Sequence, residues 1–172
     1  VYFIGNTDYF SREQLYRTAE GDYPDNCRRF TFFSRALMEM LGFVKWIPDV
    51  IHCNDWQSAL IPAYIKTIYK GTELGKIGTV FTIHNIAYQG MFPKEMLSVT
   101  GIPWSEFTMD KMEYYDHLNL LKTGIVYSDV ITTVSPTYST EVQQTNEYGR
   151  GMENILKHRS KDFFGIINGI DY

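Results

Sequence analysis

Gly78–Pro93 reads GTVFTIHNIAYQGMFP, and its two halves suit different environments. The six residues Thr79 to His84 begin as a β-branched and aromatic run of the kind found in a strand buried on both faces. His84, Asn85, Tyr88, Gln89 and Gly90 then arrive together. In open parallel sheets ligands bind beyond the carboxyl ends of the strands. The stretch therefore points to a doubly wound α/β fold with a parallel sheet, and it places His84 and Asn85 at that sheet's working edge.

The neighbouring segments repeat the pattern. DVIHCNDWQ ends in His52, Asn54, Asp55 and Trp56, FFGIINGID ends in Asn168, Gly169 and Asp171, and DVITTV is a further apolar strand. VYFIGN at 1–6 also reads as a strand. Helical spacing joins them: Phe30, Phe33, Leu37, Met40 and Leu41 lie on one face of a helix that Asp25 is placed to cap and Gly42 to end. Asp55 is placed to cap the next helix, whose Leu60, Ile61, Tyr64, Ile65 and Ile68 form a face, with Gly71 closing it. Pro62 lies inside that helix, and an interior proline costs about 3 kcal/mol, so a kink is expected there. Residues 86–115 show no clean period and contain Gly90, Pro93, Gly101 and Pro103. They are expected to form a long excursion, more mobile than the strands. Helices are expected over about 116–126, after Ser135-Pro136, and around Met152–His158.

Composition narrows the function. The 172 residues are 44% hydrophobic and 21% charged, enough for one domain with a real core. Net charge is −4 with no dense Lys/Arg block, which argues against nucleic acid. No apolar run approaches the length of a membrane span and no signal peptide is present, so no membrane partner and a cytoplasmic location are expected. Cys27 and Cys53 form no C-x-x-C pair, which fits a reducing compartment. The apolar start without Met, and the stop just after FFGIING, lead to the expectation of a longer parent protein.

Competing motifs fail on spacing. GTELGK at 71–76 has three residues between its glycines and no Ser/Thr after its lysine, and GRGMEN at 149–154 lacks the third glycine of a dinucleotide loop. No D-x-D pair stands ready to hold a metal on a diphosphate. His52 and Cys53 are adjacent on a strand and point to opposite faces, which argues against a catalytic pair. What remains is hydroxyl recognition: Asn, Asp, His and Gln supply directional hydrogen bonds, and Tyr and Trp supply faces for a sugar ring. Blander readings stay open, with Asp55 as a helix cap, His84 as a core histidine and Asn168-Gly169 as a turn.

The ordered set GDYPDNCRRFTFFSRA, PDVIHCNDWQSALIPAYI, TVFTIHNIAYQGMFP, LKTGIVYSDVITTVSPTYS and GIINGIDY resembles the amino-terminal domain of bacterial glycogen synthases and plant starch synthases. The resemblance implies a retaining glucosyltransferase that moves glucose from ADP-glucose to the non-reducing end of an α-1,4-glucan. It implies a B-type fold of two Rossmann-like domains around a cleft, with residues 1–172 part of the first, and neither metal nor cofactor. By the same resemblance His84 lies against the donor glucose near its 6-hydroxyl, with Asn85 beside it. Asp55 orients the sugar, Asn168 binds it, Tyr16 lies near it, and Trp56, Tyr88 and His52 support the site. A K-T-G-G-L loop upstream, and a downstream domain with the Arg, Lys and Glu that receive the diphosphate, are implied outside residues 1–172. The 172-residue piece alone is therefore expected to be inactive. A plant source would make the location plastid. A non-catalytic α-glucan-binding module, or a retaining glycosyltransferase using another nucleotide sugar, remains an alternative.

Overall fold

The computed structural model describes residues 1–170. Four parallel strands, β1 (Val50–Asn54), β2 (Gly78–Ile83), β3 (Val130–Thr133) and β4 (Phe163–Gly165), lie side by side in that order. The registers Asn54↔Thr82, Ile83↔Thr133 and Thr133↔Gly165 bring all four carboxyl ends to one edge. The helices longer than one turn are α1 (Asn26–Phe43), α2 (Leu60–Lys66), α3 (Leu120–Tyr127), α4 (Pro136–Glu141) and α5 (Glu153–His158).

Side-chain alternation along the strands divides the sheet into two faces. Phe81 and Ile131, both fully buried, belong to the same core as Ile61 and Tyr64 of α2 and Leu121 and Ile125 of α3. Gly124 of α3 sits so close to this sheet that an added Cβ would lie 2.4 Å from the Phe81 ring, which explains a glycine in mid-helix. On the alternate positions Thr82 Oγ1 is 2.6 Å from both His52 Nε2 and Thr132 Oγ1, a polar ladder across three strands. His52 is thus occupied on the sheet face, below the strand ends where the sequence placed it as support.

Several local expectations are corrected. Residues 1–6 form no strand among the described residues, and Val1 to Phe3 are exposed. The apolar run suits a strand but gains no ladder partner here. Asp25 does flank α1, yet its carboxylate pairs with Arg12 at 2.6 Å and makes no cap hydrogen bond. The helix continues through Gly42 to Phe43. Pro62 produces a break at Ala59, between a single turn at Asp55–Ser58 and α2, because its missing N–H leaves the Ser58 carbonyl without a helical partner. That break puts Pro62 in the first turn of α2, and α2 ends at Lys66, well before Gly71. The strand expected to run to Asn168 stops at Gly165.

The excursion after β2 is more ordered than its lack of period suggests. Met91–Pro93, His117–Asn119 and Glu113–Tyr114 form a small antiparallel sheet in that order. Leu118 of this sheet is buried, as are Leu97, Ile102 and Met112 of the same excursion. The buried Lys122 of α3 donates to the carbonyls of Met109 and Glu113, stapling the excursion to the core, and burial pulls its ammonium below the ordinary lysine range.

Asp129, at the entry to β3, locks two elements together. Its carboxylate accepts from Thr79 N at 2.8 Å, Thr79 Oγ1 at 2.9 Å and Lys66 Nζ at 2.7 Å. Burial alone would raise its pKa, but these bonds win and hold it below the usual 3.8. A depressed folded-state pKa means that this stabilisation is present above about pH 4 and is lost as pH falls through the folded value. Asp129→Asn is therefore expected to lower the urea midpoint at pH 7 and to narrow the gap from wild type at pH 3. An equal gap at both pH values would contradict this assignment.

Candidate active site

The site begins with how β1 ends. Asp55 has φ +54°, a left-handed conformation uncommon for residues other than glycine and tolerated best by Asn and Asp. The turn carries its carboxylate across to the end of β2, where Oδ1 accepts the backbone N–H of His84 at 2.8 Å. Asp55 is therefore not a helix cap, and the N-cap position belongs to Asn54, whose side chain makes no cap bond either. The Asn54 amide is turned to the same neighbour, and its Oδ1 lies 3.0 Å from His84 Nε2. With the amide oxygen facing Nε2 that nitrogen donates, and Nδ1 makes no hydrogen bond to a described residue. His84 is thus held twice, by main chain and by ring, from the last residue of β1 and the residue that follows it. Its side chain is exposed, so it is not a core histidine.

The following loop is equally fixed. Asn85 Oδ1 accepts from Ala87 N at 3.0 Å, an Asx turn that leaves its NH2 free to bind elsewhere. Ile86 N donates to the Tyr138 hydroxyl at 3.3 Å, tying the loop to α4. Tyr138 is itself placed by the Ser135 cap, whose Oγ accepts Tyr138 N at 3.0 Å, as the Ser-Pro signal predicts.

Tyr16 and Tyr88 meet edge to face, with ring centroids 6.5 Å apart. They line a cleft of about 440 Å³ with Asp22, Phe92, Tyr114 and Arg150. Trp56 also reaches this cleft but is only 4% exposed. It packs edge-on against Phe30 at 4.9 Å, beneath Gly90, and so supports the wall from behind. Gly90 has φ +60°, and a Cβ there would lie 2.5 Å from the Trp56 ring. Gly90→Ala is expected to destabilise the fold by about 1–3 kcal/mol through both strain and overpacking. An unchanged denaturant midpoint would rule out this close approach.

Asn168 is exposed three residues past β4 and makes no hydrogen bond to another described residue. Asp171 lies outside the described residues. The structure thus brings together His84, Asn85 and Asp55 and gathers Tyr16, Tyr88 and Trp56 at a neighbouring wall, while Asn168 is exposed beyond the end of β4. Among the described residues no group of His, Cys, Asp and Glu is arranged to hold a metal. Burial raises Cys27 to about 11 and Cys53 to about 12, so neither thiol is a nucleophile at neutral pH. No helix among the described residues is long and apolar enough to cross a membrane.

The parallel α/β sheet, with polar side chains at its strand ends, matches the catalytic domain of a glycosyltransferase of the B-type fold. Residues 1–158 match the family profile of the starch synthase catalytic domain, and the chain belongs to that family. It is 51% identical over 174 residues to a glycogen synthase of Geotalea uraniireducens, covering 100% of this chain and 36% of that protein. It is 48% identical over 173 residues to a glycogen synthase of Thermotoga petrophila, covering 100% and 34%. The catalytic domain of starch synthase IV from Arabidopsis thaliana, solved with ADP and acarbose, superposes with a TM-score of 0.85 at 37% identity, over 96% of this chain and 33% of that one. The chain spans about a third of the length of these relatives.

Proposed function

We propose that the full-length protein is a glycogen synthase that transfers glucose from ADP-glucose to the non-reducing end of an α-1,4-glucan with retention. Residues 1–172 form part of its amino-terminal Rossmann-like domain and supply the sugar side of the cleft. The observation that carries this reading is the double hold on His84, which fixes the loop and ring and leaves Nδ1 without a partner among the described residues, open to a sugar hydroxyl. A preorganised acceptor costs no reorientation when the substrate arrives. Asp55 keeps its second carboxylate oxygen for another hydroxyl, and a charge-assisted bond there is about twice as strong as a neutral one. The Asn85 and Asn168 amides contribute further donors, and Tyr16 and Tyr88 give the glucan a stacking wall.

Departure of ADP leaves charge on a phosphate oxygen, which needs preorganised cations. Those cations belong to a second Rossmann-like domain downstream. The two free buried thiols suit a cytoplasmic setting. ADP and acarbose, bound by the Arabidopsis relative, are the nucleotide and glucan mimic that this reading requires. The test is transfer of radiolabelled glucose to glycogen by the full-length protein, from ADP-glucose and UDP-glucose in parallel. Preferred incorporation from ADP-glucose is expected, and label from neither donor would reject the reading.

A further inference from the structure

The loop that carries His84 and Asn85 is gathered at its far end by one side chain. Gln89 Oε1 accepts from Asn119 Nδ2 at 2.8 Å, while Gln89 Nε2 donates to the Arg150 carbonyl at 2.9 Å and the Ile86 carbonyl at 3.3 Å. Asn119 is fully buried, and its Oδ1 caps α3 by accepting Lys122 N at 2.9 Å. The direction of both amides is forced. Reversing Asn119 would set NH2 against the helix N–H, and reversing Gln89 would set its oxygen against two carbonyls.

Backbone bonds complete the junction, with Leu121 N donating to Gln89 O at 2.9 Å and Leu120 N to Gly90 O at 3.1 Å. The third partner, Arg150, stands in a left-handed conformation with φ +51° before Gly151 at φ +87°. A carbonyl held there is aimed by an unusual backbone, which persists only where its surroundings fix it.

We infer that Gln89 is a positioning residue for sugar transfer: its amide joins the His84 loop, the start of α3 and the Arg150 turn, and so fixes Asn85 and Tyr88 relative to His84. The inference rests on the glucosyl-transfer reading and adds to it a residue that touches no substrate. Reacting groups displaced by about 1 Å cost on the order of a hundredfold in rate, so losing this junction should be visible in turnover.

The experiment uses Gln89→Met, which keeps the volume and removes all three amide bonds, and Gln89→Glu, which keeps the acceptor toward Asn119 and removes the donor toward Arg150. Both are made in the full-length protein. Gln143→Met serves as control, because among the described residues the Gln143 side chain bonds only within its own turn, to the Ser139 carbonyl at 2.6 Å. For both Gln89 variants kcat is expected to fall at least tenfold while KM for ADP-glucose moves less than threefold. Amide exchange over 85–90 should quicken while exchange in the four strands stays at the wild-type rate. Turnover within twofold of wild type, or exchange that quickens equally in loop and strands, overturns the inference. A wild-type protein that transfers no glucose would reject the glucosyl-transfer reading instead. Loop exchange in Gln89→Met would still decide the junction, since protection equal to wild type overturns it and loss confined to 85–90 supports it.

Discussion

In the full-length protein His84→Ala is expected to lose on the order of a hundredfold or more in kcat while unfolding within about 1 kcal/mol of wild type. The second half of that expectation follows from placement. The His84 side chain is exposed and among the described residues bonds only to Asn54, itself exposed, so truncation opens no cavity and leaves the Asn54 amide in water. A core histidine would behave in the opposite way, with a loss of about 1–3 kcal/mol and normal turnover per folded molecule. Thermal melting and kcat measured on the same preparation separate the two patterns.

Asp55 gives the second large effect, and two substitutions divide its roles. Asp55→Asn keeps an oxygen for the His84 N–H and keeps a residue type that tolerates φ +54°, so it should melt near wild type. It removes the negative charge, and a loss in kcat on the order of a hundredfold is expected if that charge holds a sugar hydroxyl through the transition state. Asp55→Ala also removes the acceptor for His84 N and forces an alanine into a left-handed conformation, costing a further 1–2 kcal/mol or so of stability. Equal turnover in wild type and Asp55→Asn would reduce Asp55 to a brace for the β2 end. Asn and Ala variants that lose the same activity, with the Ala variant alone less stable, would assign the catalytic effect to charge and the structural effect to the hydrogen bond.

The strands and the edge on which they end were legible because Val50–Asn54, Gly78–Ile83 and Val130–Thr133 are apolar runs that stop at polar residues. The Ser135 cap was legible for a similar reason, since a serine before proline leaves few other conformations. The hairpin at Glu113–Asn119 was not. Its two-residue turn, Tyr115-Asp116, has φ +48° and +62°, the conformation usually marked by Asn-Gly or Asp-Gly, and a tyrosine there gives no signal. Asp25 and Asp55 both resemble caps locally, yet each carboxylate goes to a residue distant in sequence, Arg12 in one case and His84 in the other. Tertiary partners decide such residues, and propensity cannot see them.

The same limit explains what was missed at the site. Asn54 stands at a strand end in plain view, but its bond to His84 depends on the register that sets Asn54 opposite Thr82, two residues before His84. Gln89 sits within the quoted motif, while its partners Asn119 and Arg150 are 30 and 61 residues away. Tyr138 is reached only through packing of α4 against the loop. Trp56 reads as a sugar platform by residue type, and the approach of Gly90 to its ring shows a wall built from behind.

The most direct measurement is a crystal structure of the full-length protein with ADP-glucose bound. A glucose hydroxyl is expected within hydrogen-bond distance of His84 Nδ1, with the Asn54 bond to Nε2 intact and the free oxygen of Asp55 also on the sugar. A donor glucose that touches neither His84 nor Asp55, with both still bonded to each other as they are here, would contradict that expectation.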